Sequence, residues 1–304
     1  MVRHFLSIED FSREEIDEIF ETASFFKKNL YSIFLKKKIF ALIFEKPSTR
    51  TRVSFETGIK QFSGDTIFIS NKDSQLARGE DISDTARVLS RYVDGVIIRT
   101  FGHDKIEEFA NFSDVPVINA LTDLRHPCQV LTDIFTIIEF LGNIEGKTIS
   151  FIGDGNNMMN SWITSLLRFN FTLICVYPEG YEPDSRIVEK AEKYGKGKLI
   201  LSNNPEDAFK NVDVVNTDVW ASMGQEEEAK KRKQAFKNFQ INEKNLSLCN
   251  KNSMVLHCLP AHKGEEITGK VFEMNSKYIF TQAENRLHVQ KGIIYKLFKS
   301  SYLE

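Results

Sequence analysis

The chain has 304 residues, a length that suggests two domains at roughly 150 residues each. Hydrophobic residues make up 41% and charged residues 27%, a globular balance that excludes a disordered or fibrous chain. With 40 Lys and Arg against 42 Asp and Glu, the net charge of −2 gives no general attraction to nucleic acid or anionic membrane, so a bound anion must be held by a local cluster of donors.

Cysteine usage and hydropathy indicate the compartment. The four cysteines are Cys128, Cys175, Cys249 and Cys258. None belongs to a C-x-x-C pair, so we expect reduced thiols rather than a disulfide framework. No apolar run approaches the roughly 18 residues that a membrane helix needs, and the N-terminal segment lacks a signal-type apolar stretch. We therefore expect a cytoplasmic protein that does not contact membranes.

In chain order, the first element is a helix that begins at the capping box formed by Ser12 and Glu15. Short β-rich runs then alternate with amphipathic helical stretches. The runs are 39–44, 66–69, 95–99, 115–119, 148–152, 172–177, 198–201, 212–217 and 254–256. Continuous Val, Ile and Phe strands between helices are typical of parallel sheets covered on both faces, so we predict an α/β fold.

Two further stretches concern organisation. A long helical stretch over 128–141 ends at Gly142 and marks the predicted domain boundary. In the charged run 226–233, bases follow acids four residues later, which stabilises an exposed helix. We interpret that run as a solvated helix face.

The most polar turn follows the first predicted strand, as Ser48-Thr49-Arg50-Thr51-Arg52. Ligands of open α/β sheets bind beyond the carboxyl ends of the strands. A helix that begins near Pro47 presents backbone N–H groups and a positive dipole end to an anion. The hydroxyls and Arg50 add donors that converge on one tetrahedral anion, which favours a phosphate site over a merely capped helix with solvated arginines.

Polar residues also follow the next strands. Arg99 ends the run 95–99, and His126-Pro127-Cys128-Gln129 follows the run 115–119. Taken singly, Arg99 is typical of a surface ion pair and His126 of a turn. Because Pro127 pre-sets a helical first turn, the neighbouring side chains are fixed, and with Arg50 they form a set that polarises a carbonyl and holds phosphate oxygens.

The second half has a partial dinucleotide fingerprint, Gly153-Asp154-Gly155-Asn156-Asn157, but Met158 stands where the third Gly should be. The paired amides suit a small zwitterion, since each offers donors and an acceptor, and either Asn alone suits a helix N-cap.

Three segments remain. Asp218 follows the run 212–217 and suits a substrate ammonium or a helix cap, and Gly224 suits a hinge or a plain turn. His257, Cys258 and His262 suggest zinc, but further ligands at suitable spacing are not evident. A polar substrate contact fits Cys258 better, because a nucleophilic thiol needs a lowered pKa.

Together these segments resemble the aspartate/ornithine carbamoyltransferases, in family order over nearly the whole chain. Ser48–Arg52 and His126–Gln129 match the superfamily, whereas Ser222-Met223-Gly224 with His257-Cys258-Leu259-Pro260 match its ornithine branch. The other matching residues are Gln75, Arg99, Asp154–Asn157, Asp218 and Glu284-Asn285-Arg286.

The resemblance implies two domains, each a parallel β-sheet flanked by helices, linked by two long interdomain helices. Residues 1–140 plus 285–304 would bind carbamoyl phosphate and 141–284 would bind ornithine. The implied reaction transfers the carbamoyl group of carbamoyl phosphate to the side-chain amine of L-ornithine and yields L-citrulline and phosphate, in arginine biosynthesis. The family needs no cofactor or metal, and we expect a homotrimer with active sites near subunit interfaces and no nucleic-acid partner.

The resemblance also implies the site residues. Those expected to bind carbamoyl phosphate are Ser48, Thr49, Arg50, Thr51, Gln75 from a neighbouring subunit, Arg99, His126, Gln129, Cys258, Leu259 and Arg286. Those expected to bind ornithine are Asn157, Asp218, Ser222 and Met223. Arg50, Arg99, His126 and Cys258 are the expected catalytic set. His126 is expected to donate to the carbamoyl oxygen, which becomes anionic, rather than to act as a general base.

Three alternatives stay open. A putrescine or other amine carbamoyltransferase is separated only by the Ser222-Met223-Gly224 pattern. A nicotinamide-dependent oxidoreductase would use the turn at Gly153. A phosphate-binding module would bind the anion without turnover.

Overall fold

A computed structural model of the chain describes residues 2–70, 79–221 and 228–299. The helices of these ranges are α1 (Arg13–Lys28), α2 (Thr49–Gln61), α3 (Ile82–Leu89), α4 (His103–Asn111), α5 (Pro127–Leu141), α6 (Asn157–Ser165), α7 (Ser185–Tyr194), α8 (Ala229–Phe236), α9 (Glu243–Leu246), α10 (Gly269–Met274) and α11 (Ser276–Phe298). The strands are β1 (Ile39–Phe44), β2 (Asp65–Ser70), β3 (Gly95–Arg99), β4 (Val117–Leu121), β5 (Thr148–Ile152), β6 (Thr172–Val176), β7 (Lys198–Ser202), β8 (Val214–Thr217) and β9 (Met254–His257).

The chain divides into two compact units, and each contains one sheet. The first unit comprises Met1–Leu131 and Asn285–Glu304, and the second comprises Thr132–Glu284. Helices α5 and α11 each continue across one of these boundaries. The prediction of an α/β fold with two parallel sheets is confirmed.

The sheet of the first unit has the strand order β2-β1-β3-β4, and all of its pairings are parallel. The central strand β3 is buried throughout, and β1 is buried after its first residue. These continuous apolar runs are what a sheet covered on both faces requires. The predicted capping box is present, because the Ser12 hydroxyl accepts from the Glu15 N–H and the Glu15 carboxylate accepts from the Ser12 N–H.

The sheet of the second unit has the order β7-β6-β5-β8-β9, again parallel in every pairing. Strand β5 lies in the middle, so the turn after it and the segment after β8 emerge side by side at one edge. A hydrophobic core cluster of this unit contains aromatic residues from several elements, among them Phe209, Trp220, Phe236 and Phe272.

Strand β4 begins two residues later than predicted. Pro116 lacks an N–H group and cannot donate to the ladder, although its carbonyl accepts from the Val96 N–H at 2.9 Å. Helix α5 ends where predicted, at Leu141, and Gly142 follows it with φ +82°, the left-handed conformation of a helix C-terminus.

None of the helices in the described ranges is both long and apolar enough to span a membrane. None of the four cysteines, all of which lie in the described ranges, forms a disulfide, in agreement with the prediction.

Candidate active site

The polar turn after β1 forms the start of α2. Ser48 is the N-cap of this helix, and its hydroxyl oxygen accepts from the Thr51 N–H at 3.3 Å. Thr49 and Arg50 are exposed, whereas Thr51 is buried. Since first-turn N–H groups have no acceptor within their own helix, this exposed turn offers backbone donors beside the Arg50 side chain. The capped helix and the anion site are therefore compatible descriptions of one turn.

A buried group of donors lies beside this turn in the first unit. The Arg286 Nη2 atom donates to the Thr51 hydroxyl oxygen at 2.9 Å. Arg99, His126 and Arg286 are all at least nine-tenths buried. Burial, together with the nearby Arg286 and Arg99 guanidiniums, lowers the pKa of His126 well below its ordinary value. The imidazole is therefore neutral and carries one N–H donor next to two permanent cations.

The ladder between β3 and β4 is irregular next to Arg99, because one extra residue of β4, Ala120, lies between the partners of Ile98 and Arg99. Arg99 pairs with Phe44 of β1, but the register towards β4 shifts between Ile98 and Arg99. Such bulges bend the strand that carries the extra residue and are common beside active sites. The next residue, Thr100, donates its hydroxyl to the Glu45 carboxylate, which fastens the ends of β1 and β3 together.

Lys46 is a residue of this region to which no sequence motif gives a role. It is 8% exposed, forms an ion pair with Asp123 and lies 4.2 Å from the centre of the Phe101 ring. These contacts hold the segment before Ser48 to the segment after β4. Lys46 therefore supports the site from the segment before the turn rather than belonging to any of its motifs.

Helix α5 begins at Pro127, directly after His126, as the sequence predicts. Gln129 in its first turn is 1% exposed, and its N–H donates to the His126 carbonyl at 3.2 Å. The Cys128 thiol donates to the Asn119 carbonyl of β4 at 3.3 Å. The helix start is thereby fixed to the strand end that it follows.

In the second unit, close packing against a neighbouring backbone explains why a glycine occurs in the turn after β5. Asn156 is the N-cap of α6, and its Oδ1 atom accepts from the Met158 N–H at 2.9 Å. A Cβ atom on Gly155 would lie 2.2 Å from the backbone carbon of Glu182. Gly155 is thus required by a neighbouring backbone, which accounts for the partial fingerprint without a dinucleotide.

Asp218 and Cys258, predicted from separate motifs, are in contact. The Cys258 thiol donates to the Asp218 Oδ1 atom at 2.9 Å, and the same oxygen accepts from the Val219 N–H at 2.8 Å. Both residues are half-buried. This contact was not predicted from the sequence, because the two residues are 40 positions apart in the chain.

His257 points away from Cys258 and pairs with Glu266, a residue that no sequence motif indicates. Its Nε2 atom lies 2.9 Å from the Glu266 Oε1 atom, and its Nδ1 atom accepts from the Leu259 N–H at 2.9 Å. The hydrogen-bond pattern assigns the proton to Nε2. Both the His257 and the Glu266 side chains are fully buried. This pair fixes the backbone of the Cys258-Leu259 segment. The described ranges contain no group of three or more potential metal ligands, at His257 and Cys258 or elsewhere.

The prediction of a solvated face for the run 226–233 is wrong at Arg232. This residue is 7% exposed and its Nη1 atom donates to the Asp154 Oδ2 atom at 2.8 Å. The hydrogen bonds of a guanidinium to a carboxylate offset the cost of burying both charges. The local charge pattern could not reveal a partner that lies 78 positions away in the chain.

Some predicted site residues lie outside the described ranges, namely Gln75, Ser222, Met223 and Gly224. Of the others, the first unit contains Ser48, Thr49, Arg50, Thr51, Arg99, His126, Gln129 and Arg286, and the second contains Asn157, Asp218, Cys258 and Leu259.

Two family models match successive parts of the chain. The family model "Aspartate/ornithine carbamoyltransferase, carbamoyl-P binding domain" matches residues 3–139. The family model "Aspartate/ornithine carbamoyltransferase, Asp/Orn binding domain" matches residues 145–297.

Similar proteins extend over the whole chain. A Geobacter sulfurreducens protein named ornithine carbamoyltransferase is 48% identical over 303 residues, which cover 98% of this chain and 100% of the relative. The crystal structure of anabolic ornithine carbamoyltransferase from Campylobacter jejuni has a TM-score of 0.93 at 42% identity, covering 98% of this chain and 100% of that one. An ornithine carbamoyltransferase from Pyrococcus furiosus has a TM-score of 0.90 at 43% identity and covers 96% of each chain. The chain therefore belongs to the aspartate/ornithine carbamoyltransferase family.

Proposed function

We propose that the protein transfers the carbamoyl group of carbamoyl phosphate to the side-chain amine of L-ornithine and produces L-citrulline and phosphate. The observation that carries the proposal is the buried group of Arg99, Arg286, Thr51 and neutral His126 beside the exposed first turn of α2. Such a group suits an acyl phosphate, because one end of that substrate is an anion and the other a carbonyl to be polarised. The names of the relatives support ornithine as the acceptor.

The phosphate end is held by the α2 turn. Ser48, Thr49, Arg50 and Thr51 donate to its oxygens together with Arg99, and Arg286 reaches it from α11. The helix dipole and the first-turn N–H groups favour the dianion. Gln75 of a neighbouring subunit completes the site, so the protein acts as a homotrimer. Residues 1–140 with 285–304 form this carbamoyl-phosphate domain.

The carbamoyl oxygen is polarised by His126, Arg99 and Thr51, and Gln129 holds the amino end. Negative charge develops on this oxygen when an amine attacks the carbonyl carbon. A preorganised donor aimed at a developing oxyanion contributes about 3–4 kcal/mol. Because its pKa is depressed, His126 is a poor base and a good neutral donor. It therefore assists by donation rather than by removing the proton of the amine.

The amino acid is held by residues 141–284. Asp218 binds the α-ammonium with support from Ser222, while Asn157 and the Met223 backbone bind the α-carboxylate. The Cys258 thiol already donates to Asp218, which holds that carboxylate in place. The carbonyls of Cys258 and Leu259 orient the attacking amine. That amine has an ordinary pKa of about 10.4, and the Arg50 and Arg99 charges favour its neutral, nucleophilic form.

The compartment and direction of the reaction are also part of the proposal. We infer that the enzyme works in the cytoplasm, in the direction of arginine biosynthesis, without a cofactor or metal. The similarity to the Campylobacter jejuni protein, which is named an anabolic ornithine carbamoyltransferase, supports this direction.

A direct assay tests the proposal. Purified protein is mixed with carbamoyl phosphate and either ornithine, putrescine or aspartate, and the carbamoylated product is measured. Citrulline formation with a clear preference for ornithine is expected. A preference for putrescine would overturn the acceptor assignment, and a lack of turnover with all three amines would overturn the reaction.

A point variant tests the phosphate site. Arg50→Leu is expected to lower citrulline formation by at least about 100-fold and to abolish the rise in melting temperature on adding carbamoyl phosphate. Arg52→Leu is the matched control, because Arg52 pairs with Glu56 at 2.9 Å and stacks on Phe68 instead. Near-normal turnover in Arg50→Leu would show that the phosphate assignment is wrong.

A further inference from the structure

Arg232 is buried at the meeting point of three segments of the second unit. Its Nη1 atom donates to the Asp154 carboxylate at 2.8 Å and to the Trp220 carbonyl at 3.0 Å. Its guanidinium also lies 5.0 Å from the centre of the Tyr181 ring. Only 8% of the Arg232 side chain and 10% of the Asp154 side chain are exposed. One guanidinium therefore connects the segments after β5, β6 and β8.

Two of these segments carry predicted ornithine ligands. Asp154 precedes the N-cap Asn156 and the ligand Asn157, and Trp220 follows the ligand Asp218 by two residues. The segments after β5 and β6 are also joined directly, since the Gly155 N–H donates to the Tyr181 carbonyl at 2.9 Å. The Trp220 ring stacks on Phe236 of α8, the helix that carries Arg232. The segment that precedes Asn157 is thus attached to α8 through Arg232, and the segment that follows Asp218 is attached through both Arg232 and this stacking.

Charge gives Arg232 a second effect on the same site. Burial raises the pKa of Asp154, and the neighbouring Asp218 adds to the rise, whereas the Arg232 guanidinium opposes it. A buried carboxylate without a counter-charge is strongly destabilising, so its segment would rearrange to reach solvent or another cation. With Arg232 present, Asp154 is compensated and Asp218 remains to meet the substrate ammonium.

We propose that Arg232 is a positioning residue for the amino-acid substrate, which keeps the turn before Asn157 and the segment after Asp218 in the arrangement that binds ornithine. This rests on the proposed function above. Arg232 does not touch the substrate, and it acts through Asp154 and the Trp220 carbonyl. Its loss weakens ornithine binding and leaves carbamoyl phosphate binding unchanged.

The test compares the KM values of the two substrates. Arg232→Met removes the charge and keeps much of the side-chain volume. It is expected to raise the KM for ornithine at least tenfold, to leave the KM for carbamoyl phosphate within twofold, and to lower kcat by less than threefold. Lys231→Met, on the exposed neighbouring residue, is the control and is expected to behave as the parent. Thermal unfolding is measured on each variant so that loss of folded protein is counted separately.

Arg232→Lys keeps the charge without the planar fork of donors. Its KM for ornithine is expected to fall between those of the parent and Arg232→Met, and it carries the same test if the Met variant does not fold. An unchanged KM for ornithine, an equal rise in both KM values, or a Lys variant worse than the Met variant would overturn the inference. A parent protein that makes no citrulline would overturn the proposed function and this inference with it. If the parent is active, an unchanged KM in the variants would overturn only the role of Arg232.

Discussion

His126 provides the sharpest test of how the carbamoyl group is activated. The imidazole is 5% exposed, and burial with two neighbouring guanidiniums lowers its pKa well below the ordinary value. A neutral donor that acts on a developing oxyanion is worth about 3–4 kcal/mol, or roughly 100- to 1,000-fold in rate. His126→Ala is therefore expected to lower kcat by about that factor. The KM for ornithine should change little, because the predicted ornithine ligands lie in the other unit.

The assay is steady-state citrulline formation with each substrate varied in turn. His103→Ala is the matched control, because His103 is also a largely buried imidazole of the first unit, bonded to the Thr122 hydroxyl at 3.0 Å. Burial lowers the pKa of His103 to about 4, so it too is neutral. The control variant is expected to lose stability but to keep the kcat of its folded fraction. If His126→Ala retained more than a tenth of the parental kcat, donation by this residue would be refuted.

Three further predictions follow from burial and packing. Burial lowers the pKa of Lys291 to about 8, so between about pH 8 and its ordinary value of 10.5 the unfolded state binds more protons and stability rises with pH. In urea unfolding at several pH values, Lys291→Met should lack this contribution, and an identical pH dependence would contradict it. Gly155→Ala should lower the free energy of unfolding by about 1–3 kcal/mol, because the added Cβ atom would clash with a neighbouring backbone. Gly269 has open space around it, so Gly269→Ala should leave the melting temperature unchanged or raise it. Cys258→Ser should keep a hydrogen-bond donor to Asp218 and therefore a near-parental KM for ornithine. Cys258→Ala removes that donor and should raise the KM several-fold. Equal KM values in the two variants would show that this hydrogen bond is unimportant.

Local patterns of the sequence were sufficient for most of the fold. Helix α1 follows its capping box, α2 follows its N-cap Ser48 and α5 begins at Pro127, because caps and proline act on the residues next to them. The continuous apolar runs identified the parallel strands for a similar reason, since a strand that is buried on both faces needs an apolar side chain at nearly every position. The start of β4 was wrong by two residues, because a proline inside an apolar run weakens the ladder without changing hydrophobicity.

The partners of buried polar groups could not be predicted in this way. Arg232 belongs to a run of charges that is typical of a solvated helix, and its partner Asp154 belongs to a turn that resembles part of a nucleotide fingerprint. Likewise, no spacing rule connects Cys258 with Asp218 or His257 with Glu266. The contact of Cys258 with Asp218 depends on β8 and β9 being neighbours in the sheet, and strand order is not written in any single segment.

The neutrality of His126 has a consequence for how substrate capture responds to acidity. Among the described residues that are proposed to bind the acyl phosphate, only Arg50, Arg99 and Arg286 carry a positive charge. A guanidinium stays protonated throughout the physiological pH range. The attraction for the dianion is then constant across that range. Any rise in turnover towards alkaline solution originates in the incoming amine, which makes the rate profile a direct record of that nucleophile's own ionisation.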